Sequence, residues 1–161
     1  MATKSALIFV SLLAVAGVVA CSDDENNGPQ PTVFNVPLAT ANETPPCPGA
    51  GASATGNATV TVAADNSSVT VSATFSGLSG PVTAGHIHFG TTSASGPVVL
   101  PFSAPLDSGF SRMLTSADYV AGASTPPDFA SFVTAMKGGD AGYVNLHTGA
   151  CPPGEIRGQV R

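Results

Sequence analysis

The chain has 161 residues and a formal net charge of −5, and only 9% of its residues are charged, against an average of about 25%. That length allows one domain once any processed segment is set aside, and the lack of a basic surface argues against a nucleic-acid partner. Ser, Thr, Gly, Ala and Val dominate and Trp is absent, a mix that suits short β-branched strands between Gly/Pro turns and argues against a helical bundle.

Residues 1–20 have the pattern of a secretory signal. Lys4 supplies the positive start, and Ala6 to Ala20 is an apolar run too short to span a bilayer comfortably. The run ends in Val18-Val19-Ala20-Cys21, which resembles a bacterial lipobox, with Cys21 as the acylated new N-terminus. The competing reading is an ordinary signal peptide with a chance cysteine. Residues 21–31 then form an acidic, Gly/Pro/Asn-rich tether that cannot bury apolar surface and is expected to be disordered. Its Ser22-Asp23-Asp24-Glu25 resembles the acidic export signal of some surface-displayed lipoproteins, or is simply a solvated spacer. Together these features predict an exported protein held to the cell envelope, at the outer membrane or cell surface, by its N-terminal lipid.

The folded part is expected over residues 32–161. Val33 to Ala39 alternates weakly and is a first strand. Asn42 to Gly49 is a rigid loop with three prolines. Ala58 to Ala63 and Ser68 to Phe75 are the clearest strands, joined at a turn marked by Asp65-Asn66. Residues 84–89 and 97–102 are further strands. Thr115-Ser116-Ala117-Asp118 has the form of a capped helical turn. In Thr125-Pro126-Pro127-Asp128, Thr125 is expected to cap a helix and Pro126 to open it. Phe129, Phe132, Val133 and Met136 then recur at helical spacing as a core face, ended by Gly138-Gly139. Residues 142–147 and 155–160 are the last strands. The sum is an all-β antiparallel sandwich, Greek-key or superoxide-dismutase-like, of about seven to nine strands with one or two short helices.

With Cys21 lipidated, Cys47 and Cys151 remain, each in a Pro-rich loop of an exported chain. Their disulfide would close a loop of about 100 residues, worth roughly 4–5 kcal/mol by chain entropy; the alternative is two free thiols.

All three histidines fall in two stretches. Strand alternation puts His86 and His88 opposite Ile87 and Phe89, and Tyr143, Asn145 and His147 opposite Val144 and Leu146. It also sets Glu155, Arg157 and Gln159 opposite Ile156. If these strands are neighbours, their polar rows merge into one patch. One reading is a copper or zinc site on His86, His88 and His147, with Glu155 as fourth ligand or supporting partner. The other is a hydrogen-bonded network in which neutral histidines donate to Glu155, Asn145 or backbone carbonyls. No Gly-x-Ser-x-Gly elbow, carboxylate pair or phosphate-binding loop points to catalysis.

Asn42-Glu43-Thr44-Pro45-Pro46, Ala54-Thr55-Gly56-Asn57-Ala58, His86-Ile87-His88-Phe89-Gly90, Gly142-Tyr143-Val144-Asn145-Leu146-His147-Thr148 and Pro153-Gly154-Glu155-Ile156-Arg157-Gly158-Gln159 stand in the order of the CHRD domain. The resemblance covers about residues 32–161. It implies the extracellular β module named after chordin, an antagonist of bone morphogenetic proteins, and it carries over no growth-factor binding. The His-Ile-His-Phe-Gly stretch is also similar to the His-x-His strand of copper–zinc superoxide dismutase. The further histidines and the aspartate of that two-metal centre are missing, which leaves a mononuclear copper or zinc site open. A binding or structural module without catalysis is the first functional expectation, and a metal-binding protein is the alternative. An extracellular protein or polysaccharide is the partner class expected beyond the membrane.

Overall fold

A computed structural model describes residues 28–161. The signal segment, Cys21 and most of the tether therefore lie outside the described residues. Among the described residues, eight strands follow one another along the chain: β1 (Thr32–Ala39), β2 (Thr55–Val62), β3 (Ser68–Ser76), β4 (Val82–Phe89), β5 (Val98–Pro101), β6 (Phe110–Thr115), β7 (Gly142–Thr148) and β8 (Ile156–Gln159). One α-helix among them, α1 (Phe129–Lys137), precedes β7. The strands form one antiparallel sheet in the order β5-β4-β7-β8-β1-β2-β3-β6.

The β2–β3 hairpin shows how sequence dictates the sheet. Val60 pairs with Val71 and Val62 with Val69, so their side chains share the inner face, fully buried, while Thr59, Thr61, Thr70 and Ser72 take the other. Asn66 closes the turn at φ 59°, a left-handed conformation that Asn tolerates. The Asp65 carboxylate accepts from the Ser67 N–H at 3.0 Å and from its hydroxyl at 2.7 Å.

The expected sandwich is realised as a single sheet that curls almost into a barrel, so both walls of the core belong to one ladder. The two edge strands approach each other: Arg112 of β6 donates from Nε to the Ser103 carbonyl just beyond β5 at 2.8 Å. The Phe102 and Phe110 rings stand 5.8 Å apart across the gap. Such closure satisfies apolar inner faces and shelters edges at the same time. Val36, Leu38, Ile87, Val99, Val144, Leu146 and Ile156 complete the interior. Helix α1 adds Phe132, whose ring meets Tyr119 at 5.8 Å and Phe89 at 6.5 Å.

Two local expectations change. The helix is capped by Asp128, whose carboxylate accepts from Ser131 N–H at 2.8 Å, and begins at Phe129. Thr125 instead accepts from Gly122 N–H at 2.7 Å. Two consecutive prolines keep Thr125 and Pro126 out of the helical region, so the helix starts only after them. Strand β6 had no sequence expectation. Arg112 sits between the inward Phe110 and Leu114, and Met113 is 69% exposed, so its alternation is masked. The Thr115–Asp118 capping box is present around a single 3₁₀ turn.

Candidate metal centre

Strand β7 lies between β4 and β8, and all seven of its residues are buried. Val144 and Leu146 face the core. Tyr143, Asn145 and His147 face outward, yet three loops cover them. The Cys47–Cys151 disulfide, with Cα atoms 5.8 Å apart, ties two of these loops together. The third, residues 90–97, is held from below: Tyr143 Oη accepts from Gly96 N–H at 3.0 Å, and Arg157 Nη2 donates to the carbonyls of Thr91 and Ala94.

Register brings the three histidines together. His86 and His88 of β4 stand opposite Asn145 and Tyr143 of β7, and His147 stands opposite Ala84. Alternation puts all three side chains on the outer face, where one ligand atom from each lies within 4.8 Å of the others. The hydrogen bonds set the tautomers, because a carbonyl only accepts. His88 Nδ1 lies 2.8 Å from Gly96 O and His147 Nδ1 lies 2.9 Å from Pro152 O, so both carry the proton. That makes Nε2 the acceptor on each ring. His88 Nε2 is buried with no partner, and His147 Nε2 faces His86 Nδ1 at 3.0 Å.

Burial keeps these rings neutral. It pushes His86 down to about 4, helped by the neighbouring His147 and His88. His88 and His147 are also lowered by burial, against the opposing pull of the Gly96 and Pro152 carbonyls. Neutral imidazoles with their outer N–H groups held by carbonyls are in the form that ligates a metal.

The rest of the polar row takes other partners. Tyr143 stacks on His88 at 4.7 Å, nearly parallel at 6°, and carries the Arg157 guanidinium on its other side at 3.5 Å. Gln159 donates to Gly90 O at 2.8 Å. Glu155 was expected beside the histidines as a fourth ligand or hydrogen-bond acceptor. Instead it lies just before β8 and accepts from Gly51 N–H at 2.8 Å, Ser79 N–H at 2.7 Å, and the Ser79 and Thr148 hydroxyls. Burial favours its neutral form, but these donors outweigh it and hold the carboxyl below its usual range. Its role is to pin two loops. Asn145 likewise turns from the histidines, toward Glu43 and the Pro153 carbonyl, each at 3.5 Å.

Glu43 is the residue that sequence reasoning missed. It is 6% exposed, and burial pushes its carboxyl up to about 7 despite Arg157 and Asn145. Its Oε1 and Asn145 Oδ1 are both buried without partners, beside Gly154. Only glycine fits there: φ is +137°, and a Cβ would come within 2.4 Å of the Asn145 amide. The available signal was a carboxylate inside an otherwise rigid Pro-rich loop.

Residues 34–160 match the family model of the CHRD domain. The chain belongs to the CHRD domain family. No curated protein and no solved structure matches it. The match takes in β1 from Phe34, all of β2 to β8, the three histidines and the Glu43 loop of this CHRD domain, and supports a binding or structural module.

Proposed function

We propose that this CHRD domain is an envelope-displayed module that binds one copper or zinc ion through His86, His88 and His147, anchored to the membrane by lipid on Cys21. The observation that carries the metal reading is the orphaned His88 Nε2: a buried lone pair with no donor, on a ring that clusters with the other two imidazoles. Leaving such an acceptor unmet costs about 1–3 kcal/mol, which a metal would recover. A tetrahedral zinc with Zn–N bonds of about 2.0–2.1 Å needs ligand atoms roughly 3.3 Å apart. The present spread of up to 4.8 Å closes by side-chain rotation, with His86 Nδ1 exchanging its tautomer or turning Nε2 inward. Imidazole donors suit both copper and zinc. His86 is only half-buried, so the ion would keep a face open to solvent or an external ligand. Export and lipidation rest on the charge and apolar pattern of residues 1–31.

Calorimetric titration of metal-free protein with copper or zinc should give one site per chain, and His88→Ala and His147→Ala should each abolish it. Absence of stoichiometric binding by either ion would leave the histidines as a structural network. Labelling with a radioactive fatty acid in the native host, lost in Cys21→Ser, tests the anchor separately.

A further inference from the structure

The covered outer face opens again where β1 and β8 adjoin. A cleft of about 400 Å³ lies there, walled by Asn35 of β1, Arg157 and Gln159 of β8, Thr92 and Arg161. Its size falls in the range of small-ligand sites. The whole chain has five Lys and Arg residues; two line this cleft, and no Asp or Glu side chain does.

Two of the walls hold unspent hydrogen-bonding capacity. Arg157 is 2% exposed and immobilised on the Tyr143 ring. Among the described residues its hydrogen bonds leave from Nη2 alone, to Thr91 O and Ala94 O. Nε and Nη1 therefore keep their donors. Gln159 has its amide orientation set by Gly90, since Nε2 must face that carbonyl. Its Oε1 is then buried and accepts nothing. A fixed cation with free donors, whose neighbouring carboxyl Glu43 is pushed up to about 7 by burial, thus sits two residues along β8 from an acceptor that needs a donor. Alternation puts both on the outer face, with the exposed Arg161 and Asn35 and the Thr92 hydroxyl at the rim.

A ligand that satisfies this set carries a carboxylate and hydroxyls on one small ring. We propose that the cleft binds a uronic-acid residue of an acidic polysaccharide. The carboxylate meets Arg157 and Arg161, and a small turn of the Gln159 side chain toward the cleft lets a ring hydroxyl donate to its Oε1. Charge-assisted bonds to arginine supply the selectivity over a neutral sugar. This site does not depend on the metal reading, since none of the histidines lines it.

The test is calorimetric titration of the full chain with galacturonic-acid trimer, and with a galactose trimer as the neutral control. The acidic trimer should bind saturably, more weakly as salt rises, and the neutral trimer should not. Arg161→Ala and Asn35→Ala alter exposed side chains and leave the fold intact. Arg161→Ala should weaken binding about tenfold, the loss expected for one charge-assisted hydrogen bond, and Asn35→Ala by less. Affinity should be the same with and without a chelator, which separates the cleft from the histidine site. Equal binding of the two trimers, no saturable binding of the acidic one, or unchanged affinity in Arg161→Ala would each overturn the assignment.

Discussion

Glu43→Gln removes a titrating group from a place where burial disfavours its charged form. The carboxyl is buried, has one partnerless oxygen, and stands at about 7 against an ordinary 4.5. A carboxylic acid there brings a donor to a spot where Glu43 Oε1 and Asn145 Oδ1 both lack a partner. Glutamine reproduces that donor without titrating. The difference between 4.5 and about 7 corresponds to about 3 kcal/mol. Between those values the folded state holds a proton that the unfolded state has lost. The stabilisation is therefore full below pH 4.5 and is lost as pH rises through about 7. The histidines work in the opposite direction: His86, lowered to about 4, contributes stability above 6.5 that is lost as pH falls toward 4. Both proteins share those histidines, so the difference between variant and wild type isolates Glu43. Urea unfolding at about pH 5 and about pH 8 should show Glu43→Gln gaining roughly 2 kcal/mol relative to wild type across that interval. A difference that stays constant to within about 0.5 kcal/mol would mean that Glu43 titrates as a solvated carboxylate, and the burial argument would fail.

Three further outcomes follow from single contacts. Replacing Cys47 and Cys151 together by alanine should cost about 2–5 kcal/mol, seen as a lower urea midpoint, and should speed amide exchange at Gly51 and Glu155 beside the freed loops. Asp128→Ala removes the helix cap and should lower stability by about 1 kcal/mol without changing metal stoichiometry. Gly154→Ala puts a Cβ against Asn145 and Glu43 at a positive φ; roughly 2–5 kcal/mol of destabilisation is expected, measured by the same unfolding curve.

The sequence was most legible where a local rule had no competitor. The β2–β3 hairpin follows from alternation and Asp65-Asn66, and the buried face of α1 follows from Phe129, Phe132, Val133 and Met136. Rules in competition were harder to weigh: Pro126-Pro127 overrode the apparent Thr125 cap, and Arg112 hid β6. At the site, strand parity alone put His86, His88 and His147 on one side of their strands. It could not say that β4 and β7 adjoin in the register that brings their rings together. It equally could not turn Glu155 away from them, because that depends on Ser79 and Gly51, 76 and 104 residues distant.

Composition, the period of two and the turn residues thus determined that this chain is an antiparallel β protein with a polar histidine-bearing face. Those are properties of each segment by itself. Tertiary structure decided what that face became. Loops tied by Cys47–Cys151, Glu155 and Arg157 close over β7, so residues that would stand in water on an open sheet are buried. Burial is a property of the whole fold, and it neutralises the histidines, leaves His88 Nε2 without a donor and raises Glu43. The same covering stops short at β1 and β8, leaving Arg157 and Gln159 facing a cleft.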